Sequence, residues 1–173
     1  GVNFLIRNFT VNLFNEVYKL NPDSYFLCPL HKNKKLKDYF PRKITGIYSA
    51  YLPNKLNYFF EKYNYLISNF LIEQRSTDII HETYYSDKDY SKKIKAKRVC
   101  TVFDMINEKY STFFPNSSEI SRIKKITVDR SDHIFCISEK TKSDLIDIFD
   151  VPEKKITVTL LAPSFPKKNF IKK

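Results

Sequence analysis

Apolar positions along the chain alternate between two periods, and the alternation itself predicts the elements. Phe4, Leu5, Phe9, Leu13, Val17 and Leu20 fall on one helical stripe, ended by Asn21-Pro22-Asp23. Ser24–Leu30 reads as a strand, and Ile44–Leu52, β-branched and aromatic, as a second extended segment. Pro53–Arg75 carries the strongest helical pattern. Leu56, Phe59, Phe60, Tyr63, Leu66, Ile67, Phe70 and Leu71 recur at three- and four-residue steps, with Pro53 suited to the first turn. The stripe predicts ordinary core packing.

A faster rhythm follows. Asp78–His81, Val99–Phe103, His133–Ile137 and Ile156–Leu161 are short apolar runs of strand length. Between them, Ser117–Asp129 predicts a helix with Ile120, Ile123 and Ile126 inward and Ser117 or Ser118 as cap. Ser138–Phe149 predicts another, capped by Ser138, closed by Pro152, with Leu145, Ile146, Ile148 and Phe149 inward. Short, doubly apolar strands alternating with helices predict an α/β fold, a doubly wound parallel sheet covered on both faces. Residues 1–162 then form one domain, and Pro163–Lys173 a linker or tail. No internal repeat or low-complexity segment interrupts this.

Composition narrows the chemistry. With 42% hydrophobic and 16% aromatic residues the chain can bury a core, so disorder throughout is excluded. Only Gly1 and Gly46 are glycines, so neither a G-x-G-x-x-G turn nor a Walker A loop can be written. Cys28, Cys100 and Cys136 stand far apart without C-x-x-C spacing; they predict buried thiols in a reducing compartment and no zinc site. No apolar run reaches the ~18–20 residues of a membrane span, and no signal peptide shows. The net charge of +11, gathered in His31–Lys37, Lys92–Arg98 and Lys167–Lys173, suits an acidic partner: phosphates, anionic lipid or nucleic acid. A nucleic-acid module is the weaker reading, because these clusters come without an RNP, helix-turn-helix or finger pattern.

In a doubly wound sheet, ligands lie beyond the carboxyl ends of the strands. The candidate segments are therefore His81-Glu82-Thr83-Tyr84-Tyr85, Asp104-Met105-Ile106 and Ser138-Glu139-Lys140-Thr141. His81 and Glu82 could hydrogen-bond a ligand's hydroxyls, and Tyr84 and Tyr85 could stack on a ligand ring. Asp104 suits a turn, accepting backbone N–H bonds. Met105 suits packing beneath that turn. Ser138 suits an N-cap whose helix end favours a phosphate, with Glu139 and Thr141 on the first turn. His133 opens a strand, the wrong end for a ligand, and His31 lies in a basic segment.

Read together, "DIIHETYYS", "RVCTVFDMINEKY" and "SDHIFCISEKTKSDLIDIF-DVPEKKITVTLLAPSF" resemble the N-terminal half of glycosyltransferase family 4 over about residues 53–162. The "SEKTKSDL" segment followed by "VPEKKI" is the most specific part. The resemblance implies a Rossmann-like domain, one half of a two-domain GT-B architecture, facing a C-terminal Rossmann-like domain of the same enzyme. It implies transfer of a sugar from a nucleotide sugar to a glycan or lipid-linked acceptor with retention, as in polysaccharide biosynthesis. It also implies no metal or other cofactor, and cytoplasmic work with peripheral docking on the inner membrane face. By the same resemblance the substrate-binding positions are His81, Glu82, Thr83, Tyr84, Phe103, Asp104, Met105, Ser138, Glu139 and Thr141; no catalytic residue is assigned. One departure stands out. Phe103 occupies the position of a family His, and a phenyl ring can neither donate a hydrogen bond nor carry a proton. An inert relative or partner-binding domain is therefore the alternative. The family's first strand with its glycine loop, and its donor-binding domain, have no counterpart in these residues.

Overall fold

The computed structural model describes residues 2–31, 44–48, 57–89 and 94–161. The linker at 163–173, the Pro53 cap, Leu56, and most of the three basic clusters lie outside the described residues. Among the described residues are six strands, five helices and two 3-10 turns. Helix α1 (Val2–Leu20) leads to β1 (Phe26–His31) and β2 (Ile44–Tyr48), which pair in parallel. Helix α2 (Asn57–Glu73) packs on β1. Then come β3 (Ile79–Glu82), β4 (Lys97–Val102), the single turn α3 (Ile106–Lys109), α4 (Ser117–Asp129), β5 (His133–Cys136), α5 (Glu139–Phe149) and β6 (Ile156–Val158).

The fold is α/β, Rossmann-like, and every described strand pairs in parallel. Strands β3 to β6 form one sheet in sequential order 3-4-5-6. Sequential order with right-handed crossovers sends successive helices to one face. Accordingly Cys100, Val102, Ile134, Cys136 and Ile156 point into the core with Met105, Val128, Leu145, Phe149 and Val151. The opposite face carries His81, Val99, His133 and Phe135, all only half-buried. Burial alternates along β5, whereas at the end of β4 both faces are dry, Thr101 being buried like Cys100 and Val102.

Helix α4 buries a stripe shifted from the predicted one, and α5 departs from its prediction at one position. On α4 the buried positions are Ser117, Lys124, Thr127 and Val128, while Ile120, Ile123 and Ile126 are half-buried. Thr127 and Ser131 can enter the core because each hydroxyl donates to a backbone carbonyl, Ile123 O and Thr127 O. Neither Ser117 nor Ser118 caps this helix. Its N-cap is Asn116, left-handed at φ 63°, and Ser117 Oγ donates to Ser111 O instead. On α5, Ile148 faces outward, whereas Leu145 and Phe149 are buried as expected.

Candidate functional site

The ladder fixes the heights of the strand exits. Val102 is level with Cys136, so β4 and β5 end together. Glu82 is level with Cys100, so β3 ends two residues lower, about 6–7 Å along the strand. Thr83 and Tyr84 make up that difference. Three exits therefore meet at one edge of the sheet, and Phe103 is where they meet.

Both backbone polar groups of Phe103 are held by neighbours. Its N–H donates to Tyr85 Oη at 3.3 Å, and its carbonyl accepts from Thr141 Oγ1 at 3.4 Å. Tyr85 comes from the β3 exit and Thr141 from the first turn of α5. Burial raises Tyr85 well above the usual phenol range, so it stays a neutral hydroxyl. Thr141 is in turn set by Ser138: its N–H donates to Ser138 Oγ at 3.1 Å, and the two hydroxyl oxygens lie 3.0 Å apart. Ser138 is extended and caps α5, as its place between strand and helix predicts.

Asp104 behaves as its position predicts. Its Oδ1 accepts from Ile106 N at 3.2 Å, closing the turn that launches α3. Met105 is buried beneath that turn in the core cluster. The cation that anchors the turn was not anticipated from sequence. Lys124, on the buried face of α4, donates to Asp104 O and to Glu108 Oε2, each at 2.8 Å, and stands 5.3 Å from the Tyr85 ring centre. Lys124 and its neighbour Lys125 look alike in the sequence, and only the helix phase separates them. Tyr84 is half-exposed beside this turn, raised by burial and then by the Asp104 charge.

Other expected site residues serve elsewhere. His81 lies within β3, level with Val99 and hence with His133 at the opening of β5. It is below the rim, on the half-covered face. Its Nε2 is 2.9 Å from Thr101 Oγ1, its ring packs 5.9 Å from Phe135, and burial lowers its pKa to about 4. Glu82 points to the core side and grips Arg130 at the end of α4, through Nε at 3.0 Å and through Nη2. Burial raises Glu82 in spite of the arginine's opposing pull. Thr83 is half-buried, and Glu139 is exposed at the rim.

The Phe103 side chain is half-buried. Phe9 of α1 meets it edge to face at 5.2 Å. Phe103 is thus a packing position. Asp87-Lys88-Asp89 has the D-x-D form, but its carboxylates are taken: Asp89 is paired with Arg98, and Asp87 with Lys88 at 3.5 Å and Arg122 at 3.8 Å. Among the described residues no three His, Cys, Asp or Glu side chains gather as metal ligands. All three cysteines are free thiols, raised by burial to about 11 at Cys28 and Cys100 and about 12 at Cys136, far from reactive.

The rim thus combines a half-exposed tyrosine, a fixed carboxylate and the start of a helix. It can hold hydroxyls and an anion. Compared with known proteins, the chain matches no family model and no curated protein. No described helix is long and apolar enough to cross a membrane.

Proposed function

We propose that this chain is the acceptor-side domain of a retaining sugar transferase of the glycosyltransferase family 4 type. The reading rests on the motif resemblance together with one structural observation: the β3 exit and the first turn of α5 both clamp the backbone of Phe103. The three motif segments that carry the resemblance are thereby joined at one sheet edge, where such a transferase binds its substrates. In this reading Tyr84, Asp104, Ser138, Glu139 and Thr141 line the acceptor side. A second α/β domain supplies the nucleotide-sugar site, and a glycan or lipid-linked acceptor enters between the two. Net charge +11 supports docking on an anionic membrane.

Backbone amide NMR with nucleotide sugars and oligosaccharide acceptors tests this. The expected result is acceptor-dependent shifts at Tyr84, Asp104 and Ser138–Thr141, with no sugar transfer by the 173 residues alone. Turnover by this chain alone, or shifts confined to residues away from that edge, would overturn the reading. Binding to anionic vesicles at low salt tests the membrane component, and its failure removes that component only.

A second reading has its own support in the Phe9–Phe103 contact. A ring locked by a packing partner suits a domain that binds without catalysing. Replacing Phe103 by His decides between the two in a complete two-domain polypeptide. Gain of transfer favours an inactivated relative, whereas unchanged transfer favours an active enzyme that does not use this position.

A further inference from the structure

Tyr84 is held at the rim by its neighbours. Its ring lies 5.0 Å from that of Tyr85, tilted by 33°. Tyr85 is half-buried, and its hydroxyl oxygen accepts the Phe103 N–H at 3.3 Å. Tyr84 therefore stacks on a ring that is itself tied to the β4 exit, while 49% of its own surface stays exposed. The next residue after Phe103 is Asp104. Its Oδ1 accepts from Ile106 N at 3.2 Å, which orients the carboxylate, and the side chain is 37% exposed. An aromatic face and a carboxylate, each fixed by a separate contact, thus stand together at the rim. The Tyr84 phenol is raised by burial first and then by the Asp104 charge, as this adjacency requires.

The two groups have complementary chemistry. An aromatic face packs against the C–H face of a ring, and a carboxylate accepts hydroxyl protons and donates none. Local charge narrows the ligand further. Lys124 stands 3.9 Å from Asp104 Oδ1, but it is paired at 2.8 Å with Glu108. Lys109 and Lys140 both turn to Asp144, at 2.9 and 2.8 Å. Glu139 on the first turn of α5 is a further exposed carboxylate. Among these described residues four carboxylates face three ammonium groups, 3 − 4 = −1, in a chain of net charge +11. At physiological salt the Debye length is about 8 Å, so the distant cations are screened while a carboxylate in contact with the ligand is not. We propose that Tyr84 and Asp104 form a subsite for an uncharged sugar ring. The inference rests on the acceptor-side reading above and names its substrate class: the ring that meets this edge carries hydroxyls, without a phosphate or carboxylate.

Amide shifts of the isotope-labelled full chain test the subsite. The probes are methyl hexosides and the phosphate esters of the same hexosides, titrated at physiological salt. The uncharged hexosides should give saturable shifts at Tyr84, Asp104 and Ile106, and the esters should bind there roughly ten-fold more weakly, because their charge would lie against Asp104. Asp104→Asn keeps an acceptor for Ile106 N and removes the charge, so the ester should then bind about as well as the hexoside. Tyr84→Ala should weaken the hexoside roughly five-fold, with the β4 and β5 amides unmoved. Equal or tighter binding of the esters at these amides, or discrimination that survives Asp104→Asn, would overturn the subsite and leave the transferase reading standing. Hexoside shifts confined to other parts of the chain, or none at all, would also overturn the subsite. The transferase reading falls with it only if oligosaccharide acceptors and nucleotide sugars leave this edge unmoved as well.

Discussion

Lys124 Nζ lies 2.8 Å from Glu108 Oε2, with the two side chains only 1% and 2% exposed. The pair joins α4 to the turn beneath Asp104, and the same ammonium also holds the Asp104 carbonyl. A buried pair is poor evidence of net stabilisation, yet removing one partner leaves an uncompensated charge in the interior. Lys124→Met should therefore cost about 3–5 kcal/mol in urea denaturation. Lys124→Met combined with Glu108→Leu should recover much of that loss, because no charge is then stranded. Additive losses in the double variant would show that packing, not charge, decides.

His81 is the group that should respond to mild acid. Burial lowers its pKa from 6.5 to about 4, so the folded state prefers the neutral ring. Between these values the unfolded chain binds the extra proton. Stability is thus fully present above about pH 6.5 and falls as pH drops toward 4, by roughly 3 kcal/mol at the lower end. Glu82 works in the opposite sense: its folded pKa is raised, so as pH falls from that raised value toward 4.5 the folded state takes up the proton first and gains stability. Denaturation midpoints from pH 7.5 to 4.5 should fall for the parent. They should fall less, or rise, in His81→Gln, which keeps a polar partner for Thr101 without titrating.

Element order and type were legible because the local periodicities were strong. The β3–β6 strands and α4 and α5 lie within a few residues of their predicted spans. The fate of each face was not legible. A stripe such as Phe59–Phe70 declares that a helix is amphipathic, but not that Asn64 will bond β1 and leave Phe60, Ile67 and Leu71 half-buried with Phe59, Leu66 and Phe70 exposed. Local turn chemistry could be read residue by residue, hence Asp104, Met105 and Ser138. Lys124, Glu108 and Arg130 could not, because their partners are 16 to 48 residues away. His81 was misplaced by the strand's end: β3 runs one residue beyond it, and its ladder partners put it level with the start of β5.

Ser138 carries the first turn of α5 and, through Thr141, one side of the rim. Ser138→Ala removes the acceptor for Thr141 N and should cost about 1 kcal/mol, while Ser138→Asp should retain most of it. The informative readout is local. Amide exchange at Thr141 and Lys142 should accelerate in the Ala variant, with β4 protection unchanged. Uniform acceleration across the sheet would mean that the cap is a global stability element rather than a local one.

Gly46 sits where β2 runs closest to β1. A methyl group built on its Cα would stand 2.0 Å from the Cys28 carbonyl oxygen and 2.8 Å from the carbonyl carbon. No side-chain rotation relieves a clash with backbone, so the strands must part. The ladder is already irregular here, with a register shift between Leu27 and Leu30. Glycine is thus required by close approach rather than by its dihedral freedom. Gly46→Ala should destabilise the β1–β2 pair by about 1–3 kcal/mol, an overpacking cost. Leu30 also carries the Asn64 bonds, so separation should reach α2, and amide exchange at Leu30 and along Asn57–Glu73 should quicken while β4 and β5 hold. An unchanged melting temperature together with parental exchange at Leu30 would show that β1 and β2 do not approach as closely as this geometry requires.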